Sequence, residues 1–212
     1  MNYKILVLGA GGHARVLIDI LKGQSMDLIG VCDSEVSKTR TSIYGVPCIG
    51  DDSVLGGFSK DSIRLVNGVG SHSDTSARAD LFIRCRHMGF SFENVVHPAS
   101  IVAGDTDLGE GIQLMAGSIV QVGCRIGANV LVNTGASVDH DCVIGDHTHL
   151  APGVTLSGGV TVGDGVHIGT GANIIQGIRI GRRVIVAAGA TVVQDVPSGL
   201  MVAGVPAKSI KS

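Results

Sequence analysis

Residues 132–161 read VNTGAS-VDHDCV-IGDHTH-LAPGVT-LSGGVT when they are divided into groups of six, and each group begins with an aliphatic residue. Counting in both directions from this stretch gives sixteen consecutive hexads over residues 102–197. All sixteen first positions are aliphatic: Val102, Leu108, Leu114, Val120, Ile126, Val132, Val138, Ile144, Leu150, Leu156, Val162, Ile168, Ile174, Ile180, Val186 and Val192. Chance does not produce such a run, so this period decides the fold.

The other hexad positions support the same interpretation. The fifth positions are small or β-branched, as at Ser118, Ala136 and Val154, and the fourth is glycine in ten hexads and Asn or Asp in four more. Glycine, Asn and Asp tolerate the positive φ of a tight corner. Each hexad should form one short strand and one turn, and three hexads should close a triangular coil. Stacking such coils about 4.8 Å apart predicts a left-handed parallel β-helix of the hexapeptide-repeat kind.

Residues 1–96 have a different pattern, in which short apolar strands alternate with helices. The predicted strands are Tyr3–Leu8, Leu28–Cys32 and Ile63–Val69; one amphipathic helix ends at Lys22 and another covers residues 73–88. This order predicts an α/β domain of the Rossmann-like kind, with a parallel sheet and helices on its faces. The segment HPAS at 97–100 then breaks the pattern, so the predicted domains are residues 1–96 and 97–212.

Composition and charge narrow the class of protein. The chain has 212 residues, 44% of them hydrophobic, and its formal net charge of −2 offers no basic surface for nucleic acid. Its five cysteines have no CxxC spacing, and an odd number without a secretion signal indicates reduced thiols in the cytoplasm. No apolar stretch is long enough to cross a bilayer. We therefore expect a soluble, cytoplasmic protein without membrane insertion.

Four segments carry a resemblance to a known family. The hexad run and the tail at 204–208, GVPAK, resemble the hexapeptide acyltransferase superfamily, while GAGGH at 9–13 and VDHDC at 138–142 narrow the resemblance. Over essentially the whole chain, the sequence resembles the nucleotide-amino-sugar N-acetyltransferase and sialic acid O-acetyltransferase family, particularly the bacillosamine and perosamine type. This implies acetyl transfer from acetyl-CoA to the 4-amino group of a UDP- or GDP-linked amino-dideoxy sugar. It also implies a homotrimer with acetyl-CoA between adjacent β-helices.

His140 has the chemical context of a general base. It stands at the third position of its hexad, an outward corner, between Asp139 and Asp141. Either carboxylate could hold the imidazole Nδ1–H and raise the basicity of Nε2, although a solvated corner histidine is equally compatible with the residues alone. The resemblance implies that His140 takes the proton from the attacking amine. For Asp141 we favour a role in orienting His140 over mere turn formation, while the choice between Asp139 and Asp141 stays open. One coil later, Gly158 should leave space beside the ring and offer its N–H to an oxyanion.

The remaining site residues are implied by the resemblance. For acetyl-CoA, the implied contacts are His149, Gly158, Thr170 and Ala188, with Asn133 near the active site. For the nucleotide-sugar, they are Gly11, Gly12, His13, Asp33, Ser34 and Gly70. The glycine turn is also a phosphate-binding signal in its own right, because the amides at a helix N-terminus attract anions. No metal is expected.

The residues alone are compatible with other functions and other reaction chemistries. A thiol nucleophile is disfavoured because Cys124 and Cys142 occupy inward fifth positions. O-acetylation of sialic acid or another sugar hydroxyl is the main alternative, and a non-catalytic nucleotide-sugar-binding scaffold is another. A metal site of the γ-carbonic-anhydrase type would use outward histidines, of which the hexads offer four: His140, His147, His149 and His167.

Overall fold

The structure, a computed structural model, describes residues 3–36 and 39–210. By their internal contacts, these residues form two compact units, one of residues 1–70 and 80–95 and the other of residues 71–79 and 96–212. Residues 71–79 thus group with the hexad region, although they precede the boundary that the sequence suggests. Within the described part of the chain, no helix is long and apolar enough to cross a membrane.

The elements up to the hexad region are β1 (Lys4–Leu8), α1 (Gly12–Gly23), β2 (Leu28–Cys32), β3 (Ser42–Ile43), β4 (Val46–Gly50), a 3-10 helix (Asp52–Gly57), β5 (Ile63–Asn67) and α2 (Ser76–His87). The first unit is built on a five-stranded sheet in the order β3–β4–β2–β1–β5. Strand β1 lies between β2 and β5 in parallel, and β3 joins β4 in an antiparallel hairpin. The sequence predicted β1, β2, β5 and both helices but not the hairpin of β3 and β4 or the 3-10 helix.

The second unit contains one two-residue strand per predicted hexad. The sixteen strands β7 to β22 are Ile101–Val102, Asp107–Leu108, Gln113–Leu114, Ile119–Val120, Arg125–Ile126, Leu131–Val132, Ser137–Val138, Val143–Ile144, His149–Leu150, Thr155–Leu156, Thr161–Val162, His167–Ile168, Asn173–Ile174, Arg179–Ile180, Ile185–Val186 and Thr191–Val192. Strand β6 (Val95–Val96) precedes them, and β23 (Met201–Ala203) and β24 (Lys208–Ile210) follow as an antiparallel pair. Each hexad strand ends on the aliphatic first position.

These strands form three faces, each with parallel pairing between hexad strands. The six-strand face has the order β22–β19–β16–β13–β10–β7, the five-strand face β20–β17–β14–β11–β8, and the eight-strand face β24–β23–β21–β18–β15–β12–β9–β6. Val138 pairs with Val120 on one side and Leu156 on the other, so residues 18 apart are stacked. The predicted fold class, an α/β N-terminal Rossmann-like domain followed by a left-handed parallel β-helix, is confirmed.

The interior of the β-helix consists of the first and fifth hexad positions. The first positions are buried from Leu114 onward, whereas Val102 and Leu108 at the start of the run are only partly buried. The fifth positions are buried from Ile112 onward, including Cys124 and Cys142. The inward orientation predicted for these two positions is therefore confirmed wherever a full coil covers them.

The corners follow the predicted backbone conformation, with two additions. All ten fourth-position glycines have positive φ, and so do Asn129 and Asp141, at 55° and 60°. His147 and Arg183 also adopt it, at 60° and 54°, although neither residue type favours this region. The corner conformation is thus imposed by the stacking of the coils and is only assisted by residue type.

Candidate active site

His140 lies on the corner between the six-strand and five-strand faces. Backbone hydrogen bonds fix this corner from both sides: Asp141 N donates to Val122 O at 3.0 Å, and Gly159 N donates to His140 O at 2.8 Å. The neighbouring Asp139 N donates to Leu156 O at 3.0 Å. The imidazole therefore projects outward from a rigid backbone, and half of its side chain is exposed to solvent.

The two flanking carboxylates have different tasks. The Asp141 carboxylate lies 2.8 Å from Nδ1 of His140, whereas Asp139 Oδ1 accepts the backbone N–H of His140, also at 2.8 Å. The side-chain hydrogen bond from Asp141 is the largest cause that raises the pKa of His140; desolvation opposes it, and the charges of Asp139 and Asp141 add to it. With its hydrogen on Nδ1 directed at Asp141, the neutral ring presents the Nε2 lone pair. Of the two aspartates, between which the sequence did not decide, Asp141 is the one at the ring.

Two glycines make room for this pair. A Cβ at Gly158 would stand 2.6 Å from Cε1 of His140 and closer still to Nε2, so the ring rests directly over the Gly158 backbone. One coil before the pair, a Cβ at Gly123 would overlap the Asp141 carboxylate. The space at Gly158 was predicted from the hexad period, whereas the space at Gly123 was not. Its position 18 residues before Asp141 was the signal that could have found it.

The two cysteines of the hexad run, Cys124 and Cys142, do not compete with this imidazole as nucleophiles. Cys142 is fully buried, and burial raises the pKa of its thiol to about 11. Cys124 is 1% exposed, and burial raises the pKa of its thiol as well. Their Sγ atoms donate to the carbonyls of Ser157 and Asp139, respectively, at 3.3 and 3.1 Å. Because a thiol needs access and a low pKa to act as a nucleophile, both cysteines belong to the core.

The residues implied for acetyl-CoA are distributed over different parts of the β-helix. Gly158 is beside His140, but Thr170 and Ala188 form an exposed column on the corner between the eight-strand and six-strand faces. His149 lies on the eight-strand face. One chain therefore does not bring Thr170, Ala188 or His149 together with His140. Their assignment to acetyl-CoA stays a prediction.

His149 contacts two side chains, those of Ser71 and Asn133, that the sequence had not indicated as its neighbours. Its Nδ1 lies 2.6 Å from Ser71 Oγ and its Nε2 lies 3.2 Å from Asn133 Nδ2. As predicted, it stacks with His167 one coil later, with ring centroids 4.9 Å apart in an edge-on arrangement. Both histidines are only 5% exposed, so this column is an outward ladder that other residues cover.

Part of this cover is the segment 71–79, which no motif had indicated. Beyond the contact between Ser71 and His149, Thr75 Oγ1 donates to Gly165 O at 3.1 Å, and Asn129 Nδ2 donates to Arg78 O at 3.4 Å. The contacts join residues 51 to 90 positions apart. Hexad counting cannot find such partners, because 71–79 lies outside the repeat.

The residues implied for the nucleotide-sugar lie in the first unit, at the carboxyl end of the parallel strands. Gly11 is the N-cap of α1 and Gly12 its first residue; both are exposed, and a Cβ on either would meet nothing within 4 Å. Gly70 lies beside His13, since a Cβ at 70 would be 3.4 Å from the Cβ of His13. An open turn at a helix N-terminus offers amides to a phosphate.

The second strand contributes Asp33 to this region. Asp33 Oδ2 accepts the N–H of Ala10 at 3.0 Å, and its Oδ1 accepts those of Glu35 and Val36 at 3.0 and 2.9 Å. The carboxylate thus ties the glycine turn to the end of β2, while the adjacent Ser34 is exposed. The structure brings all six predicted residues to the ends of β1, β2 and β5, and their contact with a nucleotide-sugar stays a prediction.

A metal centre finds no support in this geometry. Among residues 3–36 and 39–210, no group of three or more His, Cys, Asp or Glu side chains could hold a metal ion. In particular, His147 Nδ1 lies 3.0 Å from Asn129 Nδ2 at a different corner from His140. The observed geometry is that of an exposed, carboxylate-oriented imidazole over a glycine.

Comparison with known proteins identifies relatives along the whole chain. Residues 4–82 match the family described as the PglD N-terminal domain, and residues 123–158 match the bacterial transferase hexapeptide (six repeats). No curated protein matches the chain.

Among solved structures, the chain is similar to a His-to-Asn variant of perosamine N-acetyltransferase from Caulobacter crescentus in complex with CoA and GDP-perosamine, at 37% identity over 99% of this chain and 97% of that one, with a TM-score of 0.92. It is also similar to the acetyltransferase domain of PglB from Neisseria gonorrhoeae FA1090 in complex with acetyl coenzyme A, at 34% identity over 99% and 100% of the two chains and a TM-score of 0.93. WeeI from Acinetobacter baumannii AYE is 26% identical over 98% and 100%, with a TM-score of 0.89.

Proposed function

The chain belongs to the hexapeptide-repeat family of nucleotide-amino-sugar N-acetyltransferases, and we propose that it transfers an acetyl group from acetyl-CoA to the 4-amino group of a UDP- or GDP-linked amino-dideoxy sugar. The observation that carries this proposal is the hydrogen-bonded pair of His140 and Asp141, with the His140 ring over Gly158. The chain also aligns with nearly the full length of relatives whose structures were solved with CoA, acetyl-CoA and GDP-perosamine. Acetyl-CoA is a co-substrate, and no metal takes part in this proposal.

In the proposed mechanism, His140 is the general base. Nε2 accepts the proton that the sugar amine loses as its nitrogen attacks the thioester carbonyl carbon. A C–N bond forms, and the C–S bond then breaks with both electrons on sulfur, which takes up the proton that His140 had accepted. Asp141 orients the ring and stabilises its cationic form, since the hydrogen bond between them is 2.8 Å long. The backbone N–H of Gly158 is proposed to stabilise the oxyanion.

The binding residues of the proposal are those that the resemblance implied. Gly11, Gly12, His13, Asp33, Ser34 and Gly70 in the first unit would bind the nucleotide-sugar, and His149, Gly158, Thr170 and Ala188 would contact acetyl-CoA. Residues 1–96 would thereby act as the nucleotide-sugar-binding domain and 97–212 as the acetyltransferase domain. The position of Thr170 and His140 on different corners supports an acetyl-CoA site that a second chain completes. We therefore propose a homotrimer, working in the cytoplasm, where acetyl-CoA and nucleotide-sugars are made.

Replacing the base tests the proposed function. We expect His140→Ala to lower kcat for acetyl transfer by roughly 10²- to 10⁴-fold, which is the usual contribution of a general base. Acetyl-CoA binding, measured by calorimetry, should be retained. Cys142→Ala is the matched control, because its thiol is buried and should leave kcat nearly unchanged. Near wild-type transfer by His140→Ala would contradict the mechanism and favour a scaffold function.

A substrate panel tests the acceptor. UDP-linked 4-amino sugars, GDP-perosamine and CMP-sialic acid should be offered in competition with acetyl-CoA, and the products identified by mass. We expect acetylation of an amino sugar, because the relatives at 34–37% identity include a perosamine N-acetyltransferase. If only CMP-sialic acid were acetylated, the proposed amino-sugar acceptor would be wrong and the enzyme would be a sugar O-acetyltransferase.

A further inference from the structure

The His149 ring is held by two side chains that determine where its hydrogen lies. Asn133 Oδ1 accepts the backbone N–H of Thr134 at 2.8 Å, which fixes the orientation of the Asn133 amide. The amide nitrogen therefore faces Nε2 of His149, at 3.2 Å. An amide NH₂ can only donate, so Nε2 must accept and carry no hydrogen.

The protonation of the other ring nitrogen, Nδ1, follows from the absence of a hydrogen on Nε2. A neutral imidazole has one hydrogen, so with Nε2 as the acceptor the hydrogen lies on Nδ1. Ser71 Oγ is 2.6 Å from Nδ1 and can accept this hydrogen, because a hydroxyl has acceptor lone pairs. A second proton, on Nε2, would oppose the Asn133 donor. The two contacts together therefore select one of the three possible protonation forms of the ring.

The site is built into the β-helix and is not a loose surface contact. His149 is 5% exposed, and it is stacked edge-on against His167, for which burial and then the charge of His72 lower the pKa. The segment with Ser71 is held a second time by Thr75, which donates to Gly165 O. Ser71 therefore approaches His149 from a segment that is attached along its length.

We propose that Ser71 is a positioning residue that, with Asn133, holds His149 as the neutral Nδ1–H tautomer. In this form His149 cannot serve as a second base, because its lone pair is occupied by Asn133, and its ring is fixed in one orientation. The effect on catalysis rests on the proposed function, in which His149 contacts acetyl-CoA. A ring that has lost the Ser71 contact can rotate or change tautomer, so acetyl-CoA binding should weaken while the base, His140, is unaffected.

The tautomer is measured directly by ¹⁵N NMR of the histidine-labelled full chain at neutral pH, with His149→Gln used to assign the signal. We expect Nδ1 to carry the hydrogen and Nε2 to be bare in the wild type and in Ser71→Thr, which keeps the hydroxyl. Ser71→Ala should give a mixture of tautomers. Asn133→Asp, whose carboxylate would accept from Nε2, should place a hydrogen on Nε2. Ser73→Ala is the matched control, because Ser73 is exposed in the same segment.

Steady-state kinetics test whether the loss of the Ser71 contact weakens acetyl-CoA binding. Loss of one buried hydrogen bond should raise the KM for acetyl-CoA by roughly five-fold in Ser71→Ala, with recovery in Ser71→Thr and an unchanged pH profile of kcat. A hydrogen on Nε2 in the wild type, or an unchanged tautomer in both Ser71→Ala and Asn133→Asp, would overturn the proposal. If the tautomer is as expected but the chain transfers no acetyl group, the proposed function fails and the positioning of His149 stands.

Discussion

Asp141 combines a structural and a chemical task at one position. It occupies the fourth place of its hexad, where the chain needs a positive φ, and it adopts 60° there. From this conformation its carboxylate reaches back to Nδ1 of the preceding His140. An aspartate is one of the few residues that tolerate this backbone region, so the same side chain can turn the corner and orient the base. The two tasks can be separated by substitution.

We expect the rate of Asp141→Asn to fall and its pH profile to move. Asn keeps the corner conformation but removes the charge, so kcat should fall by about ten- to a hundredfold, as for a hydrogen bond to a charged group. The base acts only when neutral, so kcat/KM falls as the pH drops through the pKa of His140. Because Asp141 raises this pKa, its removal should shift the acid limb to lower pH.

Asp139→Asn is the matched control for this profile. An Asn at 139 can still accept the N–H of His140, so the shift of the acid limb and the loss of kcat should both be smaller. An equal or larger effect of Asp139→Asn on kcat and on the acid limb would mean that Asp139, and not Asp141, sets the basicity of the ring.

Gly158 lies directly under the His140 imidazole and provides the space that the ring occupies. A Cβ at 158 would overlap the His140 ring, so Gly158→Ala should displace the base and lower kcat by about 10²-fold. The melting temperature should change little, because the exposed ring can move away. Gly104→Ala is the matched control, since Gly104 is in the same column and a Cβ there meets nothing within 4 Å. Equal kcat in the two variants would show that the ring does not need this position.

Within the β-helix, the structural feature that repeats in every hexad is the corner at the fourth position. Positive φ occurs at the ten fourth-position glycines, at Asn129 and Asp141, and also at His147 and Arg183, whose residue types do not favour it. Each corner is held by the coils next to it, as where Arg183 N donates to Asp164 O at 2.9 Å. For a non-glycine residue the left-handed region costs about 1–2 kcal/mol. The stacked coils therefore maintain a corner that the local sequence opposes.

Arg183→Gly should relieve this cost. We expect it to raise the free energy of unfolding by about 1 kcal/mol, after the greater chain entropy of glycine is subtracted. Thermal or denaturant unfolding measures the change. Arg182→Gly serves as the control, since Arg182 does not have a positive φ and its ion pair with Asp164 would be lost. A lower stability of Arg183→Gly than of Arg182→Gly would mean that the Arg183 side chain contributes more than its backbone costs.

For the molecule as a whole, we propose that the acetyl-CoA site is shared between chains. The base lies on one corner of the β-helix, and Thr170 and Ala188 lie on another. A neighbouring β-helix could supply the second corner. The oligomer would then be part of the active site, and each chain alone would be incomplete.

A mixing experiment tests this sharing. The mass from sedimentation equilibrium should be three times that of one chain. His140→Ala and Thr170→Trp, whose indole would obstruct the acetyl-CoA groove, should each be inactive alone. Mixed oligomers should recover part of the activity, because some grooves then combine an intact His140 with an intact Thr170. A fully active monomer, or no recovery in oligomers proven to be mixed, would contradict a shared site.

The hexad period predicted the repeat, the register and the orientation of His140, Cys124 and Cys142. It could do so because each hexad contacts the hexads 18 residues away, and a fixed period converts position in the chain into position in space. The same counting placed Gly158 beside His140. The family resemblance, which these motifs carry, supplied the acetyl transfer and the acceptor class.

Contacts that do not follow the hexad period became visible in the three-dimensional structure alone. It showed that Asp141 and not Asp139 contacts the imidazole, because side-chain direction at a left-handed corner cannot be read from two flanking aspartates. It also revealed the contact between Ser71 and His149, 78 residues apart. Nothing repeats between these two residues, and their contact depends on how a non-repetitive segment packs on the β-helix. Long-range packing of this kind has no local signal in the sequence.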